Sequence, residues 1–184
     1  DYVDHLRLWK PRYEDFDISD KADCGFSLEA TGTWLNTSMY EIPVLAIINE
    51  VYFRMAYKYE DLIGQYKKRL DQKIKWLTDG TYNIGSFSEF GLRRRLCAEA
   101  QELAVKKLCE NNKNYKDSFC VGTSNVYLAK KYNVIPVGTM AHEFIMCVGQ
   151  GNPMYNPAYS NKLAMDSWTK EYGVLNGKYL TDTI

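Results

Sequence analysis

The sequence predicts an α/β protein: a mixed α+β lobe over residues 1–81, followed from Tyr82 by the start of an α/β sheet or barrel over 82–184. Three observations carry this. Two long helical patterns precede Tyr82. After it, short apolar runs of strand length alternate with segments of helical periodicity. Three of those runs end on a Gly, Ser or Thr break that leads straight into a helix. Repeated β-α units of this kind imply parallel strands with right-handed crossovers.

Tyr2 to Trp9 has Val3, Leu6 and Trp9 on one helical side, and Pro11 stops it. Phe26 to Ala30 alternates apolar and polar side chains as a half-buried strand does. Thr33-Trp34-Leu35 reads as its continuation past Gly32, which places a hairpin or bulged pair across 23–40 with Trp34 as a packing residue. Glu41-Ile42-Pro43 opens the longest apolar helix, with proline in the first turn, where its missing N–H costs nothing. Val44, Leu45, Ile47, Ile48, Val51, Tyr52 and Met55 cover most of its circumference and predict burial, and Glu50 lies four residues before Arg54. Glu60 to Thr78 is a second helix, with Leu62, Ile63, Tyr66, Leu70, Ile74 and Leu77 as its apolar stripe. Its Lys67-Lys68-Arg69 face reads as solvated, and Gly80 supplies a left-handed cap.

Beyond Tyr82, residues 83–87 read as strand and 92–110 as helix, with Leu96, Ala100, Leu103, Ala104 and Leu108 buried. Residues 118–121 are strand, 125–132 helix, 134–137 strand and 140–148 helix. Residues 149–159 read as a loop and 161–172 as helix. Residues 174–180 read as a further strand, with Asn176-Gly177 as a turn.

The 23 basic and 23 acidic side chains give a formal net charge of zero. That excludes a general nucleic-acid binder, which needs a basic excess, but leaves room for a local phosphate site. The cysteines at 24, 97, 109, 120 and 147 have no CxxC spacing and read as reduced thiols, neither a disulfide framework nor a zinc site. No apolar run reaches membrane-spanning length, and no signal-peptide pattern opens the chain. These features predict a cytoplasmic protein without membrane partners. The opening inside a helical pattern, without Met, reads as an internal piece of something longer.

The candidate chemistry lies at the three strand ends, which are expected to present Phe90/Arg93, Thr123/Ser124 and Thr139/His142 on one face. Ligands in α/β sheets and barrels bind at such ends. An aromatic exposed at 90 can stack on a flat ring, and Gly91 lets a ligand approach the backbone. Arg93-Arg94-Arg95 at a helix N-terminus would oppose the helix dipole unless an anion is nearby, and Arg93 lies nearest the turn. Gly122-Thr123-Ser124-Asn125 is a capping segment that also offers hydroxyls and N–H groups. Thr139 has the same double use. His142 is one of only two histidines and falls in a first helical turn. No P-loop, nucleophile elbow or zinc signature is present. An aromatic, an Arg, hydroxyls and a His together suit an aromatic acid beside a phosphorylated sugar.

On these residues the chain resembles the nicotinate phosphoribosyltransferase family. The matching segments are Ser88-Glu-Phe-Gly-Leu-Arg-Arg-Arg95, Phe119-Cys-Val-Gly-Thr-Ser-Asn-Val-Tyr-Leu-Ala129 and Pro136-Val-Gly-Thr-Met-Ala-His-Glu143, with Tyr40 to Ala46 resembling the family's first long helix. The resemblance covers only the middle of that family's chain. It implies the first half of an irregular α/β barrel after the mixed lobe. It also implies formation of nicotinate mononucleotide from nicotinate and phosphoribosyl pyrophosphate, with coupled hydrolysis of ATP and Mg2+ on the polyphosphates, in a homodimer. By resemblance, His142 accepts a phosphoryl group from ATP, Phe90 stacks on the pyridine ring, Thr139 contacts nicotinate and Arg93 meets phosphate or pyrophosphate. Ser124 faces the ring where nicotinamide-using relatives carry an acid. A neutral hydroxyl repels the nicotinate carboxylate less than an acid would. Without the remaining barrel strands, the 184 residues are expected to be inactive alone. A non-catalytic domain of the same fold and a nicotinamide-specific transferase are the competing expectations.

Overall fold

The computed structural model describes residues 2–22, 25–115, 118–150, 156–173 and 179–180. The chain divides into two compact units, Asp1–Ile135 and Pro136–Ile184.

The first unit opens with helix α1 (Tyr2–Leu8), strand β1 (Phe16–Lys21) and strand β2 (Gly25–Ala30). β1 and β2 form an antiparallel pair, with Phe16 opposite Ala30 and Lys21 opposite Gly25. The partner of β2 therefore lies upstream. Thr33-Trp34-Leu35, expected to continue a strand within a hairpin over 23–40, instead opens helix α2 (Trp34–Ala56), with Thr33 at its N-cap. The reason is local. Thr37 and Ser38 turn their hydroxyls back onto the Thr33 and Trp34 carbonyls, a pattern that helical backbone offers and a strand does not. Trp34 is exposed rather than packed. Pro43 consequently sits inside α2 and not in its first turn, where it removes one backbone donor.

α2 also departs from the burial its composition predicts. Only Tyr40 and Ala46 are buried, while Leu45, Ile47, Val51, Tyr52 and Met55 are exposed, Met55 at 83%. An apolar circumference records what a helix tolerates on each side, not which sides are covered. The Tyr40 hydroxyl donates to the carboxylate of buried Asp15, which also accepts from the Arg12 guanidinium at 2.6 Å. Arg12, and then Tyr40, hold that carboxyl below the usual Asp range. Helix α3 (Tyr59–Thr78) follows the expected amphipathic pattern, with Leu70 and Leu77 buried and Lys67, Lys68 and Arg69 exposed. Gly80 beyond it has φ 78°, the left-handed conformation expected of the cap.

Strand β3 (Gly85–Glu89) pairs in parallel with β4 (Ser118–Thr123), which is central in a sheet of order β3-β4-β5 with β5 at Ile135–Pro136. Helix α4 (Ala98–Asn111) connects β3 to β4, and α5 (Val126–Tyr132) follows β4. α4 begins six residues later than its periodicity predicts. Cys97 has extended backbone and its Sγ accepts the Ala100 N–H, so the helix is capped there. Glu50 adds a second partner to that end: one oxygen pairs with Arg54 at 2.8 Å, and the other accepts the Ala98 N–H at 3.1 Å. Ala100, Ala104, Val105, Cys120, Leu128 and Ala129 are buried in this part of the unit.

In the second unit, α6 (His142–Gln150) and α7 (Ser160–Tyr172) surround fully buried Met140, Ile145 and Ala164. Phe144, Val148, Met165, Trp168, Tyr179 and Leu180 pack against that cluster. Within the expected 149–159 loop, Gly149 and Gln150 end α6, and Pro157–Tyr159 form a 3-10 turn into α7. Residues 151–155 of that loop, and 174–178 of the expected last strand, lie outside the described residues.

Candidate functional site

Phe90 follows the last residue of β3, and Ser124 follows the last residue of β4. The parallel register sets Glu89 opposite Thr123, and the Ser124 N–H donates to the Glu89 carbonyl at 2.8 Å. The fold thus brings these two predicted residues onto adjacent strand ends. Phe90 is 50% exposed, as a ring-stacking role needs. The Ser124 Oγ is buried and makes no hydrogen bond among the described residues. A buried hydroxyl without a partner is costly, and a bound ligand relieves that cost.

The neighbouring hydroxyl does something else. Thr123 is fully buried, and its Oγ1 donates to Glu89 Oε2 at 2.6 Å while accepting the Asn125 N–H at 3.1 Å. It is occupied inside the protein, so of the two hydroxyls expected at this end only that of Ser124 is left over. Asn125 caps α5 by accepting the Leu128 N–H, as the capping pattern predicts.

Arg93 lies in a turn ahead of α4 and not in its first helical turn, so the dipole argument for a nearby anion does not apply to the arginine triplet. The Arg93 guanidinium pairs with Glu41 of α2, and its carbonyl accepts from the Asn49 amide at 3.3 Å. Arg94 is exposed. The partly buried Arg95 has an unpartnered Nε among the described residues and reaches Gln101 at 3.4 Å.

Thr139 and His142 belong to the second unit. Thr139 is exposed, and fully buried Met140 follows it. His142 is the first residue of α6 and half-buried, so the strand–turn–helix reading places it correctly. Unpaired N–H groups and the dipole at such an end favour anions.

A cavity of about 360 Å³ lies elsewhere in the first unit, lined by Arg54, Tyr59, Ile63, Tyr66, Lys67 and Glu99 among others, and it contains none of the predicted residues. The cysteines at 97, 109, 120 and 147 are free, and Cys24 lies outside the described residues. Among the described residues, no group of three or more His, Cys, Asp or Glu is placed to hold a metal ion, and no helix is long and apolar enough to cross a membrane.

The residue sequence reasoning missed is Glu89. Its carboxylate accepts from the Gly91 N–H at 2.5 Å, the Thr123 hydroxyl and the Gln101 amide at 3.1 Å. Its place beside Phe90 in a strand-end motif was the only available signal.

The fold and these strand ends define a mixed α/β protein that displays polar groups where parallel strands meet helices. Residues 86–184 match the family model described as the nicotinate phosphoribosyltransferase (NAPRTase) family. Over 157 residues the chain is 41% identical to nicotinate phosphoribosyltransferase of Saccharomyces cerevisiae, covering 83% of this chain and 35% of the yeast protein. It is 34% identical over 188 residues to the Cupriavidus necator protein of the same name, covering all of this chain and 45% of that one. The crystal structure of nicotinate phosphoribosyltransferase from Porphyromonas gingivalis superposes with a TM-score of 0.73 at 28% identity, over 93% of this chain and 41% of that chain. The chain belongs to the nicotinate phosphoribosyltransferase family and spans less than half the length of these relatives.

Proposed function

We propose that the complete protein transfers the phosphoribosyl group of phosphoribosyl pyrophosphate to the ring nitrogen of nicotinate. A bond forms between that nitrogen and C1 of the sugar, the bond from C1 to pyrophosphate breaks, and nicotinate mononucleotide is the product. The setting is NAD salvage in the cytoplasm. What supports this reading, beyond the family, is the pairing of exposed Phe90 with the unpartnered Ser124 hydroxyl on adjacent strand ends. Phe90 stacks on the pyridine ring. Ser124 offers a neutral hydroxyl to the ring or its carboxylate, Thr139 adds a nicotinate contact, and Arg93 serves phosphate or pyrophosphate with Glu41 setting its direction.

The sugar carbon becomes cationic in the transition state, so positioning and charge stabilisation matter more than a protein acid or base. Hydrolysis of ATP is coupled through His142. Its imidazole takes the γ-phosphoryl group with release of ADP, and water later removes it as phosphate. The start of α6 suits the anion that forms. Mg2+ enters with the polyphosphates. The working unit is a homodimer, and the 184 residues alone are inactive.

The test is transfer by the complete protein, with nicotinate and nicotinamide in competition, with and without ATP. The expected result is nicotinate-selective transfer stimulated by ATP. Preference for nicotinamide, or binding of nicotinate without turnover, overturns it.

A further inference from the structure

We propose that Glu89 is a positioning residue whose carboxylate fixes Phe90 relative to Ser124 and thereby sets the affinity for the pyridine substrate; the inference rests on the function proposed above. Glu89 sits at the end of β3, immediately before Phe90, and every bond its carboxylate makes is accepted. Oε1 takes the Gly91 N–H, so the peptide after Phe90 is tied to it. Oε2 takes the Thr123 hydroxyl and the Gln101 amide. Gln101, 2% exposed on α4, turns its oxygen to the Asn125 amide at 3.0 Å and to Arg95. Asn125 spends its own oxygen on the α5 cap. Residues on both sides of Phe90 and of Ser124 are therefore bonded into one network.

The network has a fixed polarity. An amide at 89 puts a donor either where Thr123 and Gln101 already donate or, turned over, where the Gly91 N–H donates. Turning Gln101 over passes the conflict to Asn125, and turning Asn125 over removes the helix cap. Only an acceptor on both atoms of residue 89 satisfies the whole set. The glycine at 91 belongs to the same device. A Cβ there would collide with Glu89 Oε1, so the side chain can fold onto the backbone after Phe90 only while 91 is glycine. That gives Gly91 a second reason to be glycine, besides ligand approach.

The variant Glu89→Gln in the complete protein tests this. The expected result is a KM for nicotinate raised about tenfold, with the KM for phosphoribosyl pyrophosphate within about twofold of wild type. The double variant Glu89→Gln/Gln101→Glu restores an acceptor facing a donor between residues 89 and 101 but leaves the Thr123 hydroxyl against the new amide, and is expected to recover part of the nicotinate KM. A merely structural role would lower the melting temperature and the active fraction, leave KM in place, and show no rescue by the exchange. Thr123→Val removes one donor with little change of shape and is expected to move the same KM in the same direction, which keeps the test open should Glu89→Gln fold poorly. Unchanged nicotinate KM in a folded variant, or equal change in both substrates, overturns the inference. Absence of transfer in the wild-type protein overturns the proposed function instead. In that case, amide hydrogen exchange at Gly91 and Ser124 still reads the network, and unaltered protection in Glu89→Gln overturns it independently.

Discussion

The strand ends at Phe90 and Ser124 and the helix start at His142 are built by opposite means. Around the first, buried polar side chains stand among the apolar ones and form a network: Thr123 and Gln101 bond to Glu89, and Asn125 bonds to both of them. Around the second, the fully buried side chains are Met140, Ile145 and Ala164, and Thr139 is exposed. Hydrogen bonds are directional and fix an angle, whereas apolar burial is non-directional and fixes a depth. A flat ring held by stacking needs the angle. A histidine that takes and gives up a phosphoryl group needs a firm footing for its helix and a mouth open to solvent. The difference between the two regions follows the difference in what each is proposed to do.

That contrast can be broken, and the largest expected effect is at the histidine. His142→Ala in the complete protein is expected to retain slow transfer but lose all stimulation by ATP. The wild type incubated with radiolabelled ATP is expected to carry acid-labile, base-stable phosphate that the variant lacks. Stimulation persisting in the variant would remove His142 from the reaction. Next, Ile145→Ala empties a fully buried site and is expected to cost about 2–5 kcal/mol, measured as a shift in denaturant midpoint. A cost under about 1 kcal/mol would show that the second region is not held by burial.

At the polar region the effects fall on specificity first. Ser124→Asp places a carboxylate against that of nicotinate and is expected to lower the preference for nicotinate over nicotinamide about a hundredfold, since like charges in a site cost several kcal/mol. Competition between the two bases measures it, and an unmoved ratio would take Ser124 away from the ring. The smallest effect sharpens the contrast rather than breaking it. Asn125→Ala removes the α5 cap and is expected to cost about 1 kcal/mol, read by thermal unfolding, with the nicotinate KM rising alongside because the same side chain holds Gln101.

Much of this architecture was legible because its causes are local. The order of strands and helices from Tyr82 to Tyr172, the caps at Gly80 and Asn125, the Glu50–Arg54 pair and His142 at a helix start all follow from residues within a turn of one another. The errors share a different cause. α2 is apolar on nearly every side, and periodicity has no means of saying which side is covered. Periodicity starts α4 at residue 92 and the structure at Ala98, because a cysteine thiol caps it, and cysteine is not among the usual capping residues. Local pattern puts the arginine triplet at a helix N-terminus, whereas Arg93 answers to Glu41, 52 residues away.

Thr123 and Ser124 show where the division falls. The sequence alone established that two hydroxyls end a strand and lead into a helix, since backbone preference and capping act over three or four residues. Only the tertiary structure decided that Thr123 is spent on Glu89 and that Ser124 keeps a buried hydroxyl to offer. The choice depends on which groups from β3 and α4 arrive within bonding distance and exclude water, and that is a matter of position in space, not of neighbourhood along the chain.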